Sequence, residues 1–339
     1  MKALKYIILL LLIFIIGSCT YVAVQPNSYD LSRTRTINAS AQLIFNEIND
    51  YKNWESWSPW LEKEPGIQFT YPEQTSGVGG SYSWTGNDGN GMMKTLEVSP
   101  YDSILQEIKF ENFPASQVYW KFDAKGPSTD VTWGMKSDNM SFMLKFFAAI
   151  SGGMDKMVGP DYERGLEKLD SLIINKMSKY DISIQGIKEY GGGYYLYKTT
   201  NATSANISAT MGKQYGSIMM YMAQNQIQVN GMPLTVYQEM NQQEGTVIMS
   251  NGIPVSEKIE VADDSDVLCG YIPKTKVLKT VLKGNYTNLS GAWAATMKHL
   301  QDKGLEQSDL KPFEIYTNDP GKFPNPADWV TEIYIPLKE

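Results

Sequence analysis

The sequence predicts an α+β protein of two domains behind an apolar leader, and three observations carry that expectation. Alternating runs between Ser81 and Met135 read as an antiparallel meander with one buried face. Leu166, Leu169, Ile173, Ile174 and Met177 form an apolar stripe at helical spacing, which reads as one long helix lying on that sheet. The second half of the chain then runs through one ordered set of motifs twice. A chain of 339 residues also exceeds one ordinary core, since domains run to roughly 100–200 residues. The expected division is a leader at 1–25, a first domain at 26–180 and a second at 181–339.

The leader comes first. Lys2 and Lys5 precede an apolar run from Tyr6 to Gly17, the charged and greasy parts of a secretory or anchoring segment, and this order puts the amino end inside and the body outside. The run ends in Ile16-Gly17-Ser18-Cys19, which is similar to a bacterial lipoprotein cleavage box, yet apolar character resumes at Tyr21-Val22-Ala23-Val24. A lipidated Cys19 would hold the body by acyl chains; an uncut Tyr6–Val24 approaches the ~20 residues that cross a bilayer. Both readings tether the body to the membrane of a bacterial cell envelope. Only Cys269 then remains in the body, so no intrachain disulfide can form there.

Composition narrows the chemistry. A formal charge of −7 and a pI near 5.0 oppose binding to phosphate backbones, so nucleic acid is not an expected partner. With His299 the one histidine and Cys19 and Cys269 the two cysteines, no metal or other cofactor is expected. His299 reads as a partly exposed helix residue. Gly191-Gly192-Gly193 reads as a turn rather than a phosphate cradle, and no Gly-x-Ser-x-Gly arrangement appears.

In the first domain, Leu31–Ile37 reads as a strand, and Asn38-Ala39-Ser40 supplies the helix start for Ala41–Ile48. Trp54, Trp57 and Trp60 follow around Ser58-Pro59; such a cluster either roofs a core or lines a mouth, because three exposed indoles would make a costly patch. The strands are expected at Ser81–Trp84, Met92–Val98, Ile104–Phe110, Val118–Phe122 and Thr129–Met135, with the long helix after them. Thr36-Ile37-Asn38-Ala39-Ser40, Asn53-Trp54-Glu55-Ser56-Trp57-Ser58-Pro59-Trp60 and Tyr162-Glu163-Arg164-Gly165-Leu166 together resemble the START-like polyketide cyclase/dehydrase superfamily. The resemblance implies a helix-grip fold with a cavity for a hydrophobic ligand; where the tryptophan cluster lines its mouth, Trp57 is a candidate ligand-binding residue. It transfers no catalytic set, because the family shares none.

The second domain repeats itself. Ile207, Met211, Tyr215 and Ile218 share their spacing with Leu289, Trp293, Met297 and Leu300. Met232-Pro233-Leu234-Thr235-Val236-Tyr237 answers Lys311-Pro312-Phe313-Glu314-Ile315-Tyr316, and Ile253-Pro254-Val255 answers Ile335-Pro336-Leu337. With Tyr194–Thr199 and Val277–Leu282 as leading strands, each half reads strand, helix, strand, strand, and pairing about a pseudo-two-fold axis would close their core. Alternation puts Leu234, Val236, Phe313 and Ile315 on one face and Thr235, Tyr237, Glu314 and Tyr316 on the other. Glu314 among Tyr237, Tyr316 and either Trp293 or Trp329 suits an organic cation; on a wet sheet face it would do nothing of the kind.

From Tyr194 to Leu337 this half resembles the gyrase-inhibitor-like effector-binding family, through Phe313-Glu314-Ile315-Tyr316 and the ending Asn325-Pro326-Ala327-Asp328-Trp329 before Glu332-Ile333-Tyr334. The family's carboxylate falls on Glu314. The helix-turn-helix of transcription activators with this domain is absent here, so a regulator's role does not carry over. The leading expectation is a tethered binding protein for a small hydrophobic or cationic molecule. One alternative is a hydrolase of a small reactive substrate with Glu314 as general base, since a desolvated carboxylate has a raised pKa. Another is an envelope scaffold docking through the tryptophan loop around Trp57.

Overall fold

The computed structural model describes residues 2–87, 89–203, 205–241, 244–262 and 264–338; Met1 and Glu339, the outer ends of the expected domains, lie outside them. The chain divides into two compact units, Met1–Asn175 and Lys176–Glu339.

The first unit opens with α1 (Lys2–Ala23), an apolar helix whose stretch Leu4–Ala23 is long enough to cross a membrane. It continues through β1 (Tyr29–Ile37), α2 (Ala41–Asn49), α3 (Trp60–Lys63), β2 (Gln68–Thr70), β3 (Ser81–Thr85), β4 (Gly91–Ser99), β5 (Ser103–Phe110), β6 (Ser116–Lys125), β7 (Ser128–Ser137), α4 (Phe142–Ser151) and α5 (Met154–Ser178). The seven strands form one antiparallel sheet in the order β1-β7-β6-β5-β4-β3-β2. The five runs expected as strands fall on β3 to β7, and β6 extends beyond its run at both ends. Ser40 caps α2 as expected, accepting from the Leu43 amide at 3.3 Å.

The long helix packs on the sheet through Tyr162, Gly165, Leu166, Leu169 and Ile173. Ile174 departs from the expected stripe and is 52% exposed, because one residue beyond Ile173 is a turn of about 100° away from the sheet. Tyr162 lies flat on Trp133 with ring centroids 4.0 Å apart. Gly165 makes that approach possible: a Cβ there would come within 2.6 Å of the Trp133 ring.

The second unit contains β8 (Asp181–Tyr190), β9 (Gly193–Thr203), α6 (Ile207–Gln224), β10 (Leu234–Asn241), β11 (Thr246–Val255), β12 (Leu268–Ile272), β13 (Thr275–Lys283), α7 (Leu289–Asp302), β14 (Phe313–Tyr316) and β15 (Val330–Pro336). Its eight-stranded sheet has the order β12-β9-β11-β10-β14-β15-β13-β8. The halves β9-α6-β10-β11 and β13-α7-β14-β15 therefore meet at β10 and β14, the centre of a palindrome. Register makes the symmetry atomic. Leu234 pairs with Ile315, Thr235 with Glu314 and Val236 with Phe313, while the Tyr237 amide donates to the Pro312 carbonyl and the Tyr316 amide to the Pro233 carbonyl. The pseudo-two-fold axis thus passes through the Thr235–Glu314 pair.

Leu234, Val236 and Phe313 join a buried cluster on one face of this sheet. On the other face, Ile218 and Met222 of α6 and Ala292 of α7 are buried against the strands. In α7 the residue facing inward is Thr296, not Met297, which is 45% exposed; the Thr296 hydroxyl donates to Thr280 Oγ1. A polar residue that satisfies its own hydroxyl sits where the apolar pattern placed a methionine. Gly192 holds the turn between β8 and β9 at φ 78°, and a Cβ there would meet the Ile272 carbonyl at 2.7 Å. Within the triglycine it is Gly192 that the tight turn requires.

Candidate functional site

The alternation of β10 and β14 places Thr235, Tyr237, Glu314 and Tyr316 together beneath the two helices, while their neighbours fill the opposite core. Glu314 is 0% exposed. Trp293 Nε1, reaching down from α7, donates to Glu314 Oε1 at 2.5 Å, and the Tyr316 hydroxyl donates to Oε2 at 2.6 Å. Tyr237 supplies a further hydrogen bond. Every donor to the carboxylate is a neutral aromatic side chain, and among the described residues no lysine or arginine pairs with it.

Burial pushes the Glu314 carboxyl above its usual range, and the three aromatic donors pull it back only in part. The same burial, with Glu314 adding its charge, lifts the Tyr237 and Tyr316 hydroxyls far above theirs, so both stay protonated and donate. Tyr286 is pushed up to about 12, first by burial and then by Glu314.

On the Thr235 side of the axis, the Thr235 hydroxyl donates to Asn251 Oδ1 at 2.7 Å, and the Asn251 amide donates to Gln214 Oε1 at 2.5 Å. The Tyr215 hydroxyl donates to the Leu234 carbonyl at 2.9 Å and lies 2.8 Å from Thr235 Oγ1. Two half-symmetric shells therefore meet on the axis, one carrying a carboxylate and the other only neutral groups.

Of the residues singled out in this domain, Glu314, Tyr237, Tyr316 and Trp293 come together directly. Trp329 joins at one remove: its ring lies 4.7 Å from Tyr286, which lies 5.6 Å from Tyr316. Tyr215 and Tyr286 were missed as site residues. Tyr215 was absorbed into the α6 stripe, and Tyr286 sits in the short turn before α7, where no periodicity marks it. Trp293, which donates to Glu314, is half-buried, as are Tyr286, Trp329 and Tyr215, while Glu314 itself is fully enclosed. A wet sheet face is thereby ruled out for Glu314.

Trp57 belongs to the first unit and stands elsewhere in character. It is 0% exposed, with Trp54, Trp120 and Trp133 rings 4.9, 6.0 and 5.8 Å away. The tryptophan loop roofs an aromatic core, and Trp57, fully enclosed, presents neither an exposed lip nor a docking surface. Trp57 Nε1, Trp133 Nε1 and Gln106 Nε2 are buried there with no hydrogen-bond acceptor among the described residues. Cys19 lies exposed on α1. A groove of about 320 Å³ lined by Lys188, Glu189, Tyr190, Lys279 and Tyr334 opens on the face of the sheet away from Glu314. Two of its charges are already paired, Lys279 with Glu332 and Glu189 with Lys274.

Comparison with known proteins agrees with this architecture. Residues 29–173 match the polyketide cyclase/dehydrase and lipid transport family, and residues 194–338 match the GyrI-like small molecule binding domain. No curated protein matches the chain as a relative. Among solved structures, the EcmrR C-terminal domain is 18% identical with a TM-score of 0.39, covering 47% of this chain and 98% of its own. EcmrR in a complex with DNA is 16% identical with a TM-score of 0.41, covering 58% and 72%. Protein CV1439 from Chromobacterium violaceum is 14% identical with a TM-score of 0.33, covering 42% and 95%. The chain thus joins a domain of the polyketide cyclase/dehydrase and lipid transport family to a GyrI-like small molecule binding domain.

Proposed function

We propose that this protein is a small-molecule-binding protein of the bacterial cell envelope, tethered by α1 or by acyl chains on Cys19, whose second domain holds an organic cation against Glu314. The observation that carries this reading is a fully buried carboxylate whose hydrogen-bonding partners are neutral aromatic groups. Such a group is costly to ionise and gains most from an arriving positive charge, while Trp293, Tyr237 and Tyr286 offer ring faces to the same cation. Because the carboxylate is enclosed, Trp293 must swing aside for charge-to-charge contact; it is half-buried and the donor closest to solvent on α7.

The test is displacement of a bound dye by tetraphenylphosphonium, with uncharged triphenylphosphine oxide as the control. Glu314→Gln should weaken tetraphenylphosphonium by roughly 30-fold or more, the usual scale for truncating a buried charge partner, and leave the oxide unchanged. Equal affinity of the cation for both proteins removes Glu314 from the site. Affinity should also fall as pH drops through the raised Glu314 value, because the protonated acid offers the cation no charge.

A hydrolase is the second reading, favoured by the same raised carboxyl, which suits a general base. Turnover of a strained cyclopropane-containing or ester substrate, lost in Glu314→Gln, would support it over binding alone. In the first domain the reading is a hydrophobic ligand carrying an oxygen acceptor for the unpaired Trp57 and Trp133 indoles.

A further inference from the structure

α4 is built inside out. Its buried side chains are Lys145 and Ala148, whereas Phe142, Met143, Phe146, Phe147 and Ile150 are exposed by 37% to 70%. These five recur at i, i+1, i+4, i+5 and i+8, a continuous stripe along one side of the helix. The ends are well formed: Ser141 accepts from the Leu144 amide at 3.2 Å, and Gly152 closes the helix at φ 82°. The outward apolar stripe is therefore a property of a capped helix, not of a frayed segment. In water it would be an uncovered patch of the kind that marks an interaction surface.

What covers it follows from where it is held. α4 packs against α1, whose Val22 is 4% exposed, and the Met140 amide donates to the Asn27 carbonyl at 2.8 Å. The start of α4 is thus tied to the chain just after α1 ends at Ala23. At 1.5 Å per residue α1 is about 33 Å long, close to the ~30 Å hydrocarbon core, so its carboxy end emerges at the bilayer surface. Acyl chains on Cys19 would bring the membrane to the same few residues. The large apolar side chains of α1 from Leu4 to Ile16 are themselves at least 50% exposed, so the stripe on α4 continues an apolar surface that requires lipid.

We propose that α4 is a membrane-interface helix, lying along the outer bilayer surface with Phe142, Met143, Phe146, Phe147 and Ile150 at the headgroup and acyl boundary. The first domain is then docked on the membrane as well as tethered to it. This inference rests on the tether reading above, and the experiment separates the two.

The full chain, carrying a fluorescent amino acid at position 146, is reconstituted into phosphatidylcholine/phosphatidylglycerol vesicles containing lipid spin-labelled at acyl carbon 5. A second preparation carries the same probe at position 125. Lys125 ends β6 beside the start of β7, and Ser137 at the other end of β7 pairs with Tyr29, so the control stands roughly 30 Å along the sheet from α4. The expected result is co-flotation with the vesicles, several-fold quenching at 146 and none at 125. Flotation with 146 unquenched overturns the interface helix and leaves the tether standing. Failure to float overturns both. An unquenched 146 probe whose emission shifts to the blue as protein concentration rises assigns the stripe to a second copy of the chain, and also overturns the proposal.

Discussion

In the first unit Trp54, Trp57, Trp120 and Trp133 pack ring against ring, and two of their indole N–H groups find no acceptor among the described residues. In the second, Trp293, Tyr237 and Tyr316 turn their donors onto one carboxylate and satisfy it. Both clusters are aromatic and, half-buried Trp293 apart, both are withdrawn from water. What separates them is the placement of polarity: the first tolerates unmet donors inside a core that owes its cohesion to area, and the second is organised around a single acid. Aromatic richness alone marks burial, whereas aromatic donors converging on an uncompensated charge mark a place where chemistry can be done.

Mutations can break this contrast. The largest effect is expected at Trp133→Ala, which removes a ring stacked on both Trp120 and Tyr162; the first unit should lose about 3–5 kcal/mol in denaturant unfolding. Gly165→Ala pushes a methyl into the same indole and should cost about 1–3 kcal/mol by the same measurement. A pair of smaller changes sharpens the point about polarity. Trp54 Nε1 donates to the Ile48 carbonyl at 2.8 Å and Trp57 Nε1 donates to nothing described, so Trp54→Phe should cost about 1 kcal/mol more than Trp57→Phe. Equal losses would mean that the Trp57 indole is satisfied after all.

The smallest expected change has the opposite sign. A carboxyl with a raised folded-state pKa favours folding while it is protonated, and that contribution disappears as pH rises through the raised value. Glu314→Gln should therefore gain thermal stability relative to the parent at neutral pH, by about 1 kcal/mol or less because the aromatic donors lose an ionic acceptor, and show no gain below the ordinary carboxylate range. A variant less stable at neutral pH than at acid pH, relative to the parent, would contradict the burial penalty assigned to Glu314.

Much of this architecture is legible from periodicity. Strand alternation locates the meander and the faces of β10 and β14, and the repeated motifs set out both halves of the second unit. The misses have local causes. Ser141–Ile150 is almost uniformly apolar, so no polar face declares its period, and α4 went unread. β2 has only three residues, and β12 carries a glycine at its centre that interrupts the alternation. The apolar pattern points to Met297 rather than Thr296 because hydropathy does not register a hydroxyl satisfied by Thr280. Within the site, Glu314, Tyr237 and Tyr316 follow from strand geometry, but Tyr215 and Tyr286 arrive from a helix and a turn, and only tertiary packing brings them in.

The pairing of Thr235 with Glu314 has a consequence for how a duplicated module acquires a charge. Each copy contributes one residue to the centre, and identical copies carrying acid would set two carboxylates on directly opposed strand positions, where mutual repulsion makes them hold a proton between them. Thr235→Glu would create that couple and put a shared proton where the chain now holds one enclosed carboxylate. By leaving a hydroxyl in one copy, the chain keeps its ionisable centre unshared, one acid answering to no second acid across the axis.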